Sequence, residues 1–136
     1  MKRVILCVMM LAWSSLACAD IQEFRYFSLD VPDGWTATED GAVVTVTDDA
    51  KISSLAITAD SPEGRSIEEL AVLFSRELNG SDPEKDEDGA YTFEFDGGDS
   101  QAVIDGDEDL YLMIIGKGIE KNGEVMAEIL GSLEMK

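Results

Sequence analysis

Asp105-Gly106-Asp107-Glu108-Asp109 places four carboxylates in five residues. The acids at alternate places, Asp105, Asp107 and Asp109, match the opening of a calcium loop, where oxygen ligands wrap a hard cation. The rest of such a loop is missing. Leu110 stands where a glycine would make the sharp turn, and Gly116 stands where a glutamate would close the site. Strands rather than helices are predicted on both sides. The competing reading is a hairpin turn whose charges guard an aggregation-prone strand. Asp82, Glu84, Asp86, Glu87 and Asp88 form a second acidic run, read either as a weak cation site or as a solvated loop.

Other chemistry is sparse. The sequence has no histidine and two cysteines, Cys7 and Cys18, both near the N-terminus. No serine–histidine or cysteine–histidine nucleophile can be assembled in the remainder. Paired carboxylates can hydrolyse a glycoside, but only across a defined cleft. In a chain with 29 acidic residues, close carboxylates arise by chance. The sequence therefore predicts no enzyme and no cofactor.

The N-terminus reads as an export signal. Lys2 and Arg3 form a basic start, Val4 to Ala12 an apolar centre, and Ala17-Cys18-Ala19 a small-residue cleavage site. The apolar run is short for a bilayer span, and no second one follows. Cleavage after Ala19 is expected, which makes residues 1–19 a secretory signal and residues 20–136 one domain in a bacterial periplasm or outside the cell. An alternative is lipidation of Cys18, since Ser15-Leu16-Ala17-Cys18 is similar to a lipobox. Ser15 departs from that pattern, which wants a branched aliphatic residue there.

Charge narrows the partners. Lys2 and Arg3 leave with the signal, so eight bases face 29 acids and the net charge is −21. Such a surface repels nucleic acid and anionic lipid. It suits either an ionic medium or a role as an acidic face for a basic partner or divalent cations.

Two amphipathic helices and several short strands account for the rest. Leu110–Gly116 is a continuous apolar run without alternation, so neither side of a strand built from it can face water. It is predicted to be the central strand of a sheet covered on both faces. Glu23–Val31, Thr36–Glu39, Ala42–Thr47 and Ser53–Ala59 read as an antiparallel meander. Ala90–Phe95, Ser100–Ile104 and the central strand make a second one. Ser66 and Glu69 form a capping box, and Ile67, Leu70, Ala71, Phe74 and Leu78 share one helical face. Asn122 is predicted to cap a final helix, whose apolar stripe holds Val125, Met126, Ile129, Leu130 and Leu133.

Pro32-Asp33-Gly34-Trp35 closes the extended segment Phe27–Val31. That motif, followed by a strand pair, a serine-initiated helix, a glycine-rich meander and a helix ending near Leu130-Gly131-Ser132-Leu133, resembles the PsbP/DcrB-like group. The resemblance implies an α+β fold: a three-layer α/β/α sandwich around an antiparallel sheet of about six strands, with two main helices. It also implies an exported, non-catalytic accessory protein that supports larger assemblies. Some photosynthetic members influence calcium and manganese retention; this chain has no histidine for such a role. Trp35 and Gly34 carry over as structural residues only.

Two functions follow as expectations. One is an accessory protein of the cell envelope that binds another protein. The other is a module for Ca2+ or a small ligand that uses Asp105, Asp107 and Asp109.

Overall fold

Alternation gives each strand a dry side and a wet side, and tertiary packing decides what dries it. In a computed structural model, which describes residues 20–136, ten strands and two main helices form. The signal over residues 1–19, its cleavage site and Cys18 lie outside the described residues. The elements are β1 (Asp20–Glu23), β2 (Phe27–Val31), β3 (Trp35–Asp40), β4 (Val43–Asp48), β5 (Ser54–Asp60) and α1 (Ile67–Glu77). They continue as β6 (Glu84–Lys85), β7 (Tyr91–Phe95), β8 (Ser100–Gly106), β9 (Tyr111–Lys117), α2 (Ile119–Gly131) and β10 (Glu134–Met135).

The main sheet is antiparallel, with seven strands in the order β3-β4-β5-β9-β8-β7-β6. The apolar run that begins at Leu110 thus becomes β9, the middle strand, paired with β5 on one side and β8 on the other. The predicted six-strand sheet gains β6, a two-residue edge strand.

Each face of the sheet carries its own core. On one face, Leu70 and Ala71 of α1 meet Phe93, Phe95, Ala102, Ile104, Tyr111 and Met113. On the other, Met126 and Ile129 of α2 meet Val44, Val46, Leu55 and Ile57. Each well-buried Leu, Ile or Phe contributes roughly 1.5–3 kcal/mol relative to exposure. The helices therefore lie on opposite faces, as the three-layer sandwich requires.

One strand departs from the predicted meander. β2 pairs with β1 and β10 in a separate three-stranded sheet. It sets Phe27, Leu29 and Val31 against the same core as α2. The outer layer on that face is thus a helix beside a small sheet. Phe24 and Phe27 are both buried, although three residues apart, because the chain turns between them and the Phe24 N–H donates to the Phe27 carbonyl at 2.8 Å. Local alternation could not reveal this, since a strand with one apolar side suits either sheet equally.

The helix ends are held by different means. Ser66 accepts from the Glu69 N–H at 3.1 Å, and the Glu69 carboxylate accepts from the Ser66 N–H at 2.9 Å. This is the predicted capping box. Asn79, in the left-handed region at φ 57°, ends the turn after α1. α2 starts earlier than predicted and kinks at Asn122 (φ −125°, ψ 25°). Among the described residues, no helix is long and apolar enough to cross a membrane.

Candidate functional site

Among the described residues, three features could meet a ligand: the acidic turn before β9, an apolar groove beside α2, and a part of the main sheet that neither helix covers. The acidic turn folds onto itself. The Asp107 Oδ1 accepts the N–H groups of Asp109 at 2.8 Å and Leu110 at 3.1 Å, and the Asp105 Oδ1 accepts the Gly106 N–H at 2.8 Å. These bonds close the β8–β9 hairpin, whose Asp107 N–H donates back to the Leu110 carbonyl at 3.0 Å. The Asp109 and Leu110 amides hold the Asp107 carboxyl below its ordinary value. Among the described residues, no three Asp, Glu, His or Cys side chains are grouped to hold a metal ion. Asp105, Asp107 and Asp109 are neighbours in an exposed turn, and the first two are held there as turn-forming side chains.

Gly34 and Trp35 sit at the turn into β3. Gly34 has φ 90°, a conformation that disfavours any side chain, and the Trp35 N–H donates to the Pro32 carbonyl at 3.2 Å. The indole is half-buried against the core beneath α2 and the small sheet. It packs against the edge of that core.

A polar cluster that local patterning does not reveal anchors the start of α2. Ser53 is 2% exposed and donates its hydroxyl to the Gly118 carbonyl at 2.8 Å. Asn122 donates to the Ser53 Oγ at 2.8 Å, and the Asp48 Oδ1 accepts the Ile52 and Ser53 N–H groups. Asn122 is therefore a donor to this cluster, which corrects its predicted role as the helix cap. The cap comes from the β7–β8 turn: Asp99 accepts the Ile119 N–H through its carbonyl at 3.1 Å and the Glu120 N–H through its Oδ1 at 3.0 Å. The cluster is internally paired, so it has no free group to offer a substrate.

The groove lies between α2 and strands β5, β8 and β9. Leu55, Val103, Ile114, Met126, Ala127 and Leu130 line its walls, and Gln101 supplies a polar rim. Gly116 lies beneath it, where an added Cβ would stand 3.1 Å from the Met126 Cε. It contains no titratable side chain, so it has no acid, base or nucleophile.

The uncovered part is the β3-β4-β5 third of the main sheet, on the side of α1. α1 lies over β7 and β8, and α2 with the small sheet dries the opposite side. Register places Thr36, Thr38, Val43, Thr45, Thr47, Ala56 and Thr58 together on this open side. None of them belongs to either core; Thr36 and Thr38 are exposed and the other five are half-buried. Charges occur only where its strands end, at Asp40 and Asp60. Near that end, burial foremost and then the Asp60 and Glu63 carboxylates push the Tyr111 hydroxyl up. A signal for this face was present in the sequence: threonines alternate with buried valines along Val43–Thr47. What the alternation cannot say is that no helix reaches the threonine side.

Two layers of helix around an antiparallel sheet define the molecule as an α+β sandwich. No protein-family model matches the chain, and no curated protein matches it at a significant level. Its backbone is similar to the solution structure of cyanobacterial PsbP (CyanoP) from Synechocystis sp. PCC 6803. That match has a TM-score of 0.56 at 14% identity and covers 94% of this chain and 99% of that one. The chain thus has a PsbP-like fold. It is also similar to a crystal structure from Bacteroides thetaiotaomicron VPI-5482, with a TM-score of 0.46 at 18% identity over 81% of this chain. The chain spans 45% of that protein's length.

Proposed function

We propose that this protein is an exported, non-catalytic accessory protein of the bacterial cell envelope that binds another protein through its sandwich. The observation that carries the reading is the uncovered third of the main sheet. Seven neutral side chains on three adjacent strands share this side, with its two charges, Asp40 and Asp60, confined to the strand ends, in a chain with 29 acidic residues. A free surface in such a chain is normally charged, whereas the centre of a protein interface is depleted of charge. The absence of histidine, and the internal pairing of the Asp48, Ser53 and Asn122 cluster, support a binding role over a chemical one. The PsbP-like fold supports it by analogy, and the signal over residues 1–19 supports export.

Affinity capture from mildly crosslinked cells tests the reading. The expected result is a reproducible protein partner that is absent when the bait carries Thr45→Arg and Thr58→Arg. Recovery of no partner would withdraw it; recovery of the same partners with both baits would move the binding surface to another part of the sandwich.

A further inference from the structure

We infer that the uncovered β3-β4-β5 face docks a basic protein segment, with that partner's lysines and arginines seated at the Asp40–Asp60 end. This rests on the protein-binding reading above and names the face and the partner's chemistry. The topology assembles the acidic end. Asp40 closes β3 beside Val43, and Val43 pairs with Thr58 near the end of β5. Asp60 pairs with Tyr111, and Tyr111 also pairs with Gly106, so the β8–β9 turn stands at the same end of the sheet. Asp40, Asp60, Glu63, Asp107, Glu108 and Asp109 thereby gather along one border, with Arg65 as the cation of those loops. The far border carries Lys51 and Lys117 beside Asp33, Asp48 and Asp49, so it is much nearer neutral. A partner that covers the face therefore meets the stronger negative potential at the Asp40–Asp60 end, and its basic part belongs there.

Size and charge argue against a second copy of this chain. Three strands about 4.8 Å apart, each presenting about five residues, make a face of roughly 250 Å². A stable dimer buries about 800 Å² per partner. A second copy would also bring residues 20–136, with their net charge of −21, to a surface already of that sign. A basic partner gains from the acidic border what the small face lacks in area.

A photo-reactive phenylalanine placed at Thr45, and separately at Gln101 on the opposite side of the sheet, tests this in intact cells with the full chain. The expected result is a crosslink from Thr45 to a peptide rich in lysine and arginine. In extracts, raising the ionic strength from about 0.05 M to about 0.5 M should weaken capture of that partner at least about tenfold, because border charges are screened. The combined variant Asp40→Asn, Asp60→Asn, Glu63→Gln should weaken it similarly, and Glu124→Gln with Glu128→Gln should not. A crosslink from Gln101 but not from Thr45 overturns the face while leaving the protein-binding reading intact. A Thr45 crosslink to a second copy, or to a partner held equally at both ionic strengths, overturns the basic partner. No crosslink from either position overturns the inference and removes the support for the protein-binding reading with it.

Discussion

Gly118 has little freedom to change. It sits at φ 69°, and a Cβ there would strike the Ile52 carbonyl oxygen and stand 2.8 Å from the Ser53 Oγ. Gly64 shares the positive φ, at 84°, but has open space around it. The left-handed conformation costs a side chain roughly 1–2 kcal/mol. Gly64→Ala should therefore lose about 1 kcal/mol in urea unfolding and Gly118→Ala at least about 2 kcal/mol, since Ser53 must also move. Two titrations belong at this scale. The lowered Asp107 carboxyl adds stability that is present above its unfolded value near 3.8 and is lost as pH falls through the folded value. Urea unfolding of Asp107→Ala and the parent across acid pH should show a smaller acid-side loss in the variant. The raised Tyr111 hydroxyl acts in the other direction: its contribution is full below the unfolded value near 10.0 and is lost as pH rises through the folded one.

Among the elements, β5 shows how far two sides of one strand can differ. Ile57 is fully buried, whereas Thr58 lies on the uncovered face. Ile57→Ala should cost about 2–5 kcal/mol through the cavity it leaves. Thr58→Ala should stay within about 0.5 kcal/mol, and chemical denaturation of the pair measures the contrast. The helices differ in how they begin. Ser66→Ala removes a local cap from α1 and should cost about 0.5–2 kcal/mol. Asp99→Ala should cost α2 a similar amount, although Asp99 lies 20 or more positions before the amides it serves. A loss of α2 amide protection in Asp99→Ala, with α1 unaffected, is the hydrogen-exchange signature that checks this. The capping box was legible because its two residues are three apart in sequence; the Asp99 cap was not, because it crosses from one hairpin to a helix beyond the next two strands.

At the scale of the whole molecule, charge dominates. Eight bases face 29 acids beyond residue 19, and the described ion pair, Lys136 with Glu23 at 3.3 Å, is exposed. Self-repulsion of that size opposes the folded state, and added salt relieves it. The thermal midpoint should rise as NaCl is raised from about 0.01 M to about 0.5 M, as followed by circular dichroism. A flat or falling midpoint would mean that the acids are spaced widely enough not to repel.

The sequence by itself determined the central strand, both helices, the capping box and which side of each strand is apolar. All of these follow from spacing between neighbours in the chain, where side-chain direction is set by a period of two or of 3.6. Tertiary structure alone decided that Phe27–Val31 leaves the meander for a small sheet, that Asp99 caps the last helix, and that Asn122 serves Ser53. It also decided that α1 stops short of the β3-β4-β5 face. The reason is that the apolar side of a strand is a local property, whereas its cover is a choice among distant elements. That choice dried the valines of β4 and left its threonines open.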